Sequence, residues 1–430
     1  MKKIVFFLLI LAPCFSFSQE WDHIYDDTNG YRNVVQSAFH AYDSGYYMYR
    51  YDDQDYFRYS KTNIDGEILW TRMMRYSVDD YFGRGWMTTD NNGNMYYSGN
   101  IPINTETIKT AIMKIDPCGE LIWCHSLNIP GSWGHWGSQI HVLPNNDIVV
   151  HTKYAGQWAG QVPLEREQLM KFNENGDLLW INQIMPNNEH PDKWNVLLET
   201  CIPSEDGGFF LAGTVYMQDS VSGNNFLYPK GVIVKTDEFG EEEYISIIDY
   251  PDENITMVFC FELETDNDLF ITGYDYLSQE EPRPTPTICS IDKYTGELKT
   301  RSIQYLPDSI PTGLCHMIRK TDEGYMIVNP IAIPSTQKNM LQIELLEESF
   351  NGYDSVIFNK RVIIYDQSTT PCEDNSIIVS GLEWKNPYTS NKRKGMAMKI
   401  NQDLSIDSVS NIQLNYDSLC PYTIESGDRV

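Results

Sequence analysis

The stretches FRYSKTNIDGEILWTRMMR (57–75) and TAIMKIDPCGELIWCHSLN (110–128) repeat one pattern. With Lys61 set on Lys114, each runs from an apolar strand into a lysine. A short polar turn follows, closed by Gly66 or Gly119, then Glu, two aliphatic residues and Trp70 or Trp123. The pattern returns as KFNENGDLLWINQI from Lys171 and as KTDEFGEEEYISII from Lys235, where Tyr244 replaces the tryptophan. Looser copies are SIDKYTGELKTRSI from Ser290 and KINQDLSIDSVSNI from Lys399. LQIELLEESFNGYDSVIFN, from Leu341, keeps the strand–turn–strand shape without the lysine, which makes seven copies.

A second phrase precedes each copy: DSGYYMYR from Asp43, NNGNMYYSGN from Asn91, NNDIVVHTK from Asn145 and DGGFFLAGT from Asp206. It continues as DNDLFITGY from Asp266, DEGYMIVNP from Asp322 and EDNSIIVSG from Glu373. The anchors Asp43 and Asp374 are 331 residues apart over six intervals, a period of about 55 that belongs to solenoids, propellers or arrays. Each repeat holds four short runs rich in Val, Ile, Tyr and Phe between Gly, Asn and Asp, the mark of strands and hairpins. No stretch has an amphipathic helical period. The expected fold is all-β, a β-propeller of about seven four-stranded blades spanning residues 19–416, with 417–430 as a tail. The EWDHIYDD stretch near the N-terminus reads as a fourth strand that ties the two ends together. LSIDSVSNI reads as another, so an eighth blade or an extra strand on the last one stays open.

The phrase Lys-x-Asp-x-x-Gly-Glu-x-x-Trp, best kept at Lys114, Asp116, Gly119, Glu120 and Trp123, resembles the blade motif of PQQ-like and seven-bladed bacterial propeller repeats. The second phrase, with its closing glycine at Gly213, Gly273 and Gly381, is similar too. With the basic start and acidic charge, the chain resembles secreted propellers of Bacteroidota, many of them type IX secretion cargo. That resemblance implies a blade, not a quinone: the adjacent cysteines of the dehydrogenases are missing, and no cofactor is expected. Such cargo usually ends in a β-sandwich sorting domain, and this sequence stops at CPYTIESGDRV.

Lys2 and Lys3 precede an apolar run from Ile4 to Ala12, which reads as a secretory signal too short to span a bilayer, cleaved near Ser18. Secretion or display at the cell surface is therefore expected. Loss of residues 1–18 removes two lysines and no acid, taking the formal net charge from −28 to −30. A surface that negative repels phosphate backbones and anionic lipid. No other segment is long and apolar enough for a stable membrane span. Eight cysteines remain after Cys14 is removed; they allow 105 connectivities, and only Cys118 with Cys124, within one hairpin, is expected to pair. Cys201, Cys260 and Cys315 read as small apolar fillers of strands.

Alternation of strand direction puts the tight turns on one face and the long, dissimilar connections on the other, where variable chemistry belongs. On that face Trp133, His135 and Trp136 come from one loop and Trp158 from the next, an aromatic set suited to a sugar ring or a peptide. The alternative is that their rings simply cover the core. Trp70, Trp123 and Trp180 read as packing. His141 and His151 fall in adjacent strands and read as hydrogen-bonded strand residues, and no metal site is expected. The expected function is a non-catalytic secreted scaffold that binds an extracellular protein, peptide or glycan and not nucleic acid. A polysaccharide-active hydrolase or lyase is the alternative.

Overall fold

The computed structural model describes residues 22–26, 33–41, 43, 45–52, 57–75, 85–104, 107–127, 134–155, 165–184, 194–218, 227–248, 256–276, 284–303, 310–311, 317–321, 324–333, 338–347, 352–358, 362–363, 369–371, 376–384, 393–405, 410–413 and 421–423. Among them there is no helix, and the strands fall into seven sheets. Strands a to d of blade 1 are Asn33–His40, Tyr46–Asp52, Phe57–Thr62 and Ile68–Arg75. Blade 2 is Gly85–Thr89, Met95–Asn104, Thr107–Ile115 and Leu121–Leu127; blade 3 is Gly134–Val142, Ile148–Ala155, Glu165–Phe172 and Leu178–Ile184. Blade 4 is Trp194–Pro203, Phe209–Gln218, Leu227–Thr236 and Glu242–Ile248; blade 5 is Thr256–Glu264, Asp268–Tyr276, Pro284–Asp292 and Leu298–Ile303. In blade 6 the inner position is shared by Ile310–Pro311 and Met317–Lys320, ahead of Tyr325–Ile333, Lys338–Leu346 and Gly352–Phe358. Blade 7 shares its inner position between Val362–Ile363 and Thr369–Pro371, followed by Ile377–Trp384 and Arg393–Ile400.

Each blade is an antiparallel meander, and the inner strands of blades 1 to 4 meet one another around the axis. The protein is a β-propeller of four-stranded blades. Its ring closes as the N-terminal pattern predicts: Asp22–Asp26 pairs antiparallel with Arg393–Ile400 as the fourth strand of blade 7. The supernumerary strand joins the same sheet, with Ser410–Gln413 running parallel to Asp22–Asp26 on its outer side. Pro421–Thr423 likewise extends blade 1 beside Ile68–Arg75.

The repeated pattern is a hairpin and its lock. Lys61, Lys114, Lys171 and Lys235 lie directly across the c–d ladder from Trp70, Trp123, Trp180 and Tyr244, and a bulge follows each pair. In the turn, Asp116 Oδ1 accepts the N–H groups of Cys118 (2.9 Å) and Glu120 (2.7 Å), and Asn173 and Asp237 do the same in their blades. This side-chain mimicry of a turn is why Asn or Asp holds that place. The aromatic ring of one blade then lies under the c–d turn of the next: Trp70 under Gly119, Trp123 under Gly176, Trp180 under Gly240 and Tyr244 under Gly296. Trp123 Nε1 donates to Glu174 O at 3.3 Å, and Tyr244 Oη donates to Lys293 O at 2.8 Å. The tryptophans pack, as their spacing indicates. Three of the motif lysines turn back beneath the a–b turns, where Lys61 pairs with Asp43, Lys171 with Asp147 at 3.3 Å and Lys235 with Asp206 at 2.9 Å, whereas Lys114 Nζ donates to Glu174 O of the next blade at 3.1 Å.

Between blades the core is aliphatic or aromatic according to the strand sequences. Val149, Leu169 and Ile184 of blade 3 meet Val196, Leu198 and Leu211 of blade 4, each burial contributing roughly 1.5–3 kcal/mol. Blades 1 and 2 use Tyr47, Tyr49, Tyr59 and Tyr97 instead. A buried phenol needs an acceptor, and Tyr47 and Tyr59 reach the turn carbonyls of Gly93 (3.1 Å) and Gly119 (2.9 Å) in blade 2.

Cys118 and Cys124 do not pair. Cys118 is exposed in the turn, while Cys124, on strand d, packs against the core shared with Ala111 and Met113, where burial pushes its thiol up to about 12. Cys201 is a buried filler of strand a in blade 4, as expected. The side chain of Cys260, and Cys315 altogether, lie outside the described residues.

Candidate functional site

The core changes character along the strands. Near the tight turns the second strands are apolar, as at Ile148–Val150, Phe209–Ala212 and Ile377–Val379. Halfway toward the opposite face they carry buried polar groups at equivalent positions, Ser98, His151, Thr272 and Ser380, and blade 6 carries Asn329 one position further on. Several polar atoms around this level have no hydrogen-bond partner among the described residues: Ser98 Oγ, Thr110 Oγ1, Thr152 Oγ1, Gln168 Oε1 and both amide atoms of Asn329. Buried polar groups left in this state call for an explanation, since each costs about 1–3 kcal/mol.

The densest polar region joins blades 3 and 4. His151 Nε2 lies 2.8 Å from Glu167 Oε2, both side chains being 3% exposed or less. The other oxygen of Glu167 accepts the N–H of Leu198 at 3.0 Å. Gln139, across the ladder from His151, donates to Thr200 Oγ1 at 3.0 Å and accepts the N–H of Cys201. These bonds pin two blades together at the inner strand. His141 is partly buried beside the Trp86 ring, 6.4 Å between centroids. Burial depresses its pKa from 6.5 to about 4, against a hydrogen bond to the Cys201 backbone and with a small contribution from His151. It is a neutral imidazole at physiological pH.

Where this network reaches solvent, the inner strand of blade 4 is bulged. The register shifts between Leu198 and Thr200, leaving Glu199 without a strand partner. Gly213 permits this: a Cβ there would sit 1.9 Å from Leu197 O. That approach explains the closing glycine of the second phrase in this blade. Glu199 is exposed and Lys153 Nζ of blade 3 holds its carboxylate at 2.9 Å. Above this buried, internally bonded network, the Lys153–Glu199 pair presents polar groups to solvent that can hydrogen-bond a ligand rich in hydroxyl or amide groups.

Of the residues singled out in the sequence, Trp133 and Trp158 lie outside the described residues. His135 and Trp136 are not in a loop. They belong to strand Gly134–Val142, paired with Tyr154 and Lys153, because a bulge between Trp136 and Gln139 absorbs Gly137 and Ser138 and lets pairing continue. Trp136 therefore shares its register position with the lysine that holds Glu199. His151 is a hydrogen-bonded strand residue, as expected. Among the described residues no group of three His, Cys, Asp or Glu side chains could hold a metal ion. Glu167, Gln139, Lys153 and Glu199 were missed by sequence reasoning. A signal existed for Glu167, which shares its strand parity with the buried Leu169.

No family model and no curated protein matches the chain. Among solved structures it is similar to an α-L-arabinofuranosidase of Fusarium graminearum (12% identity, 77% of this chain and 98% of that one, TM-score 0.45). It is also similar to a protein of unknown function from Dyadobacter fermentans (10%, 89% and 98%, TM-score 0.43) and to a periplasmic gluconolactonase of Pseudomonas aeruginosa (11%, 76% and 95%, TM-score 0.41). Likenesses at this level carry no argument about activity.

Proposed function

We propose that the chain is an extracytoplasmic propeller that binds a ligand without turning it over, on the loop-rich face at the inner edge of blades 3 and 4. The observation that carries this reading is the change from apolar to polar core on approaching that face, densest where Lys153 and Glu199 meet solvent. The carboxylates of this region favour binding over acid–base chemistry. Both oxygens of Glu167 are engaged in the interior and Glu199 is neutralised by its lysine, so neither is placed as a free proton donor or acceptor. The proposed ligand class is a glycan: Lys153 and Glu199 can bond sugar hydroxyls, and the sequence reading adds Trp133, His135, Trp136 and Trp158 as the aromatic residues for its rings. Export by the type IX route and kinship with PQQ-like repeats belong to the same proposal and rest on the sequence motifs.

A glycan array on residues 19–430, run beside Glu199→Gln/Lys153→Met and Trp133→Ala/Trp136→Ala/Trp158→Ala variants of equal thermal stability, tests the reading. Binding lost in both variants supports it. Binding retained in both places the ligand elsewhere, and release of reducing ends from a bound polysaccharide would establish the hydrolase or lyase alternative.

A further inference from the structure

A separate crevice of about 550 Å³ opens on the turn face between blades 4 and 5, within the usual range for small ligands. Lys235 Nζ stands 5.1 Å above the Phe210 ring and between two carboxylates, Asp206 at 2.9 Å and Glu243 at 3.2 Å. Lys293 stands between Glu264 at 3.2 Å and Glu205 at 3.7 Å. Each lysine thus faces two acids, and the crevice keeps a surplus of two negative charges. Glu264 is fixed by Ser204 Oγ (3.0 Å) and the Glu205 N–H (3.2 Å), which joins the two blades. The outer acids remain accessible, Glu205 at 69% and Glu243 at 50% side-chain exposure.

The aromatic wall points to the class of cation. Tyr294 is 66% exposed, yet its hydroxyl donates to Asp266 O at 3.0 Å and Lys293 Nζ stands 5.5 Å from its ring centroid, so the ring is held in place with much of its surface left to solvent. A metal ion has no use for such a ring, whereas a planar guanidinium stacks on it and bonds carboxylates at its edge. The lysines are already committed to acids, so an anion finds no spare charge here. The geometry points to a binding site for the arginine side chain of a basic partner polypeptide, its guanidinium between Glu205 and Glu243 and its face toward Tyr294.

Calorimetric titration of the full chain with Nα-acetyl-arginine amide, and with its neutral citrulline counterpart, tests this. Saturable arginine binding is expected, with citrulline at least about tenfold weaker because its charge-assisted bonds are lost. Glu205→Gln/Glu243→Gln should weaken arginine by about tenfold without moving the thermal midpoint, since both side chains are half exposed or more. Asp65→Asn/Glu67→Gln, the same charge change on the blade 1 turn, should leave binding intact. Equal binding of citrulline, equal loss in the blade 1 control, or no saturation would overturn the assignment. The triple tryptophan variant should bind arginine normally, which keeps this site distinct from the proposed glycan face.

Discussion

Gly207 and Gly240 close the a–b and c–d turns of blade 4 with φ of +91° and +78°, and their N–H groups donate to Ser204 O (3.0 Å) and Asp237 O (3.1 Å). They differ in what lies beyond them. A Cβ on Gly207 would meet only Glu238 Cβ, at 3.7 Å, whereas one on Gly240 would lie 2.8 Å from Trp180 Cζ3 and 2.9 Å from Cη2. Alanine at either position bears the left-handed cost of about 1–2 kcal/mol and gains the same stiffening of the unfolded chain. Gly240→Ala alone adds overpacking, about 1–3 kcal/mol. The expected losses are therefore about 1 kcal/mol for Gly207→Ala and about 3 kcal/mol for Gly240→Ala. Urea unfolding followed by tryptophan fluorescence reads both as midpoint shifts at constant slope. In a Trp180→Ala background the two substitutions should converge. Equal costs in the native background would refute the view that the ring of one blade carries the turn of the next.

The buried pair between blades 3 and 4 gives a second test: Glu167→Ala should cost about 3–5 kcal/mol by stranding His151 and the Leu198 N–H. Glu167→Gln should cost only about 1 kcal/mol, because its amide oxygen still accepts from Leu198; denaturation that ranks the two variants equally would remove the network from the fold's support. His141 makes stability depend on pH: the unfolded imidazole takes its proton near 6.5 and the folded one only near 4. Stability is therefore complete above pH 6.5 and declines by about 3 kcal/mol down to pH 4 on this account; His141→Leu should lack that part of the slope in urea titrations across the window. Iodoacetamide labelling at pH 8 with peptide mapping should modify the exposed Cys118 well before Cys124 and Cys201, whose thiols burial pushes up; early labelling of Cys201 would contradict its place in strand a.

The scaffold was legible because its rules are local. A lysine, an Asn or Asp turn, a glycine and a tryptophan at fixed spacing define one hairpin, and repetition declares the ring. The cross-strand pairing of Lys171 with Trp180 needs no information from beyond ten residues. The site was legible only in part, because its contacts span blades: Gln139 meets Thr200 and Cys201 about 60 positions later, and no local pattern announces that meeting. The position of Trp136 was misjudged for a related reason. Glycines 134 and 137 look like loop residues in sequence, while the bulge that accommodates Gly137 keeps the segment in the ladder.

The clasp at blade 7 has a consequence for how the molecule comes into being. Asp22 pairs with Met398, so the first strand of the fold finds its place only after nearly the whole chain exists. For a free coil, joining ends that far apart would cost about 5 kcal/mol in closure entropy. Blades formed beforehand lower that cost by carrying the ends toward each other. Until then the growing protein is an open arc, and its last blade is a three-stranded sheet with a bare edge. The strand that seals it precedes blade 1 in the sequence, so an arc cut short of Arg393–Ile400 has no proper seat for it.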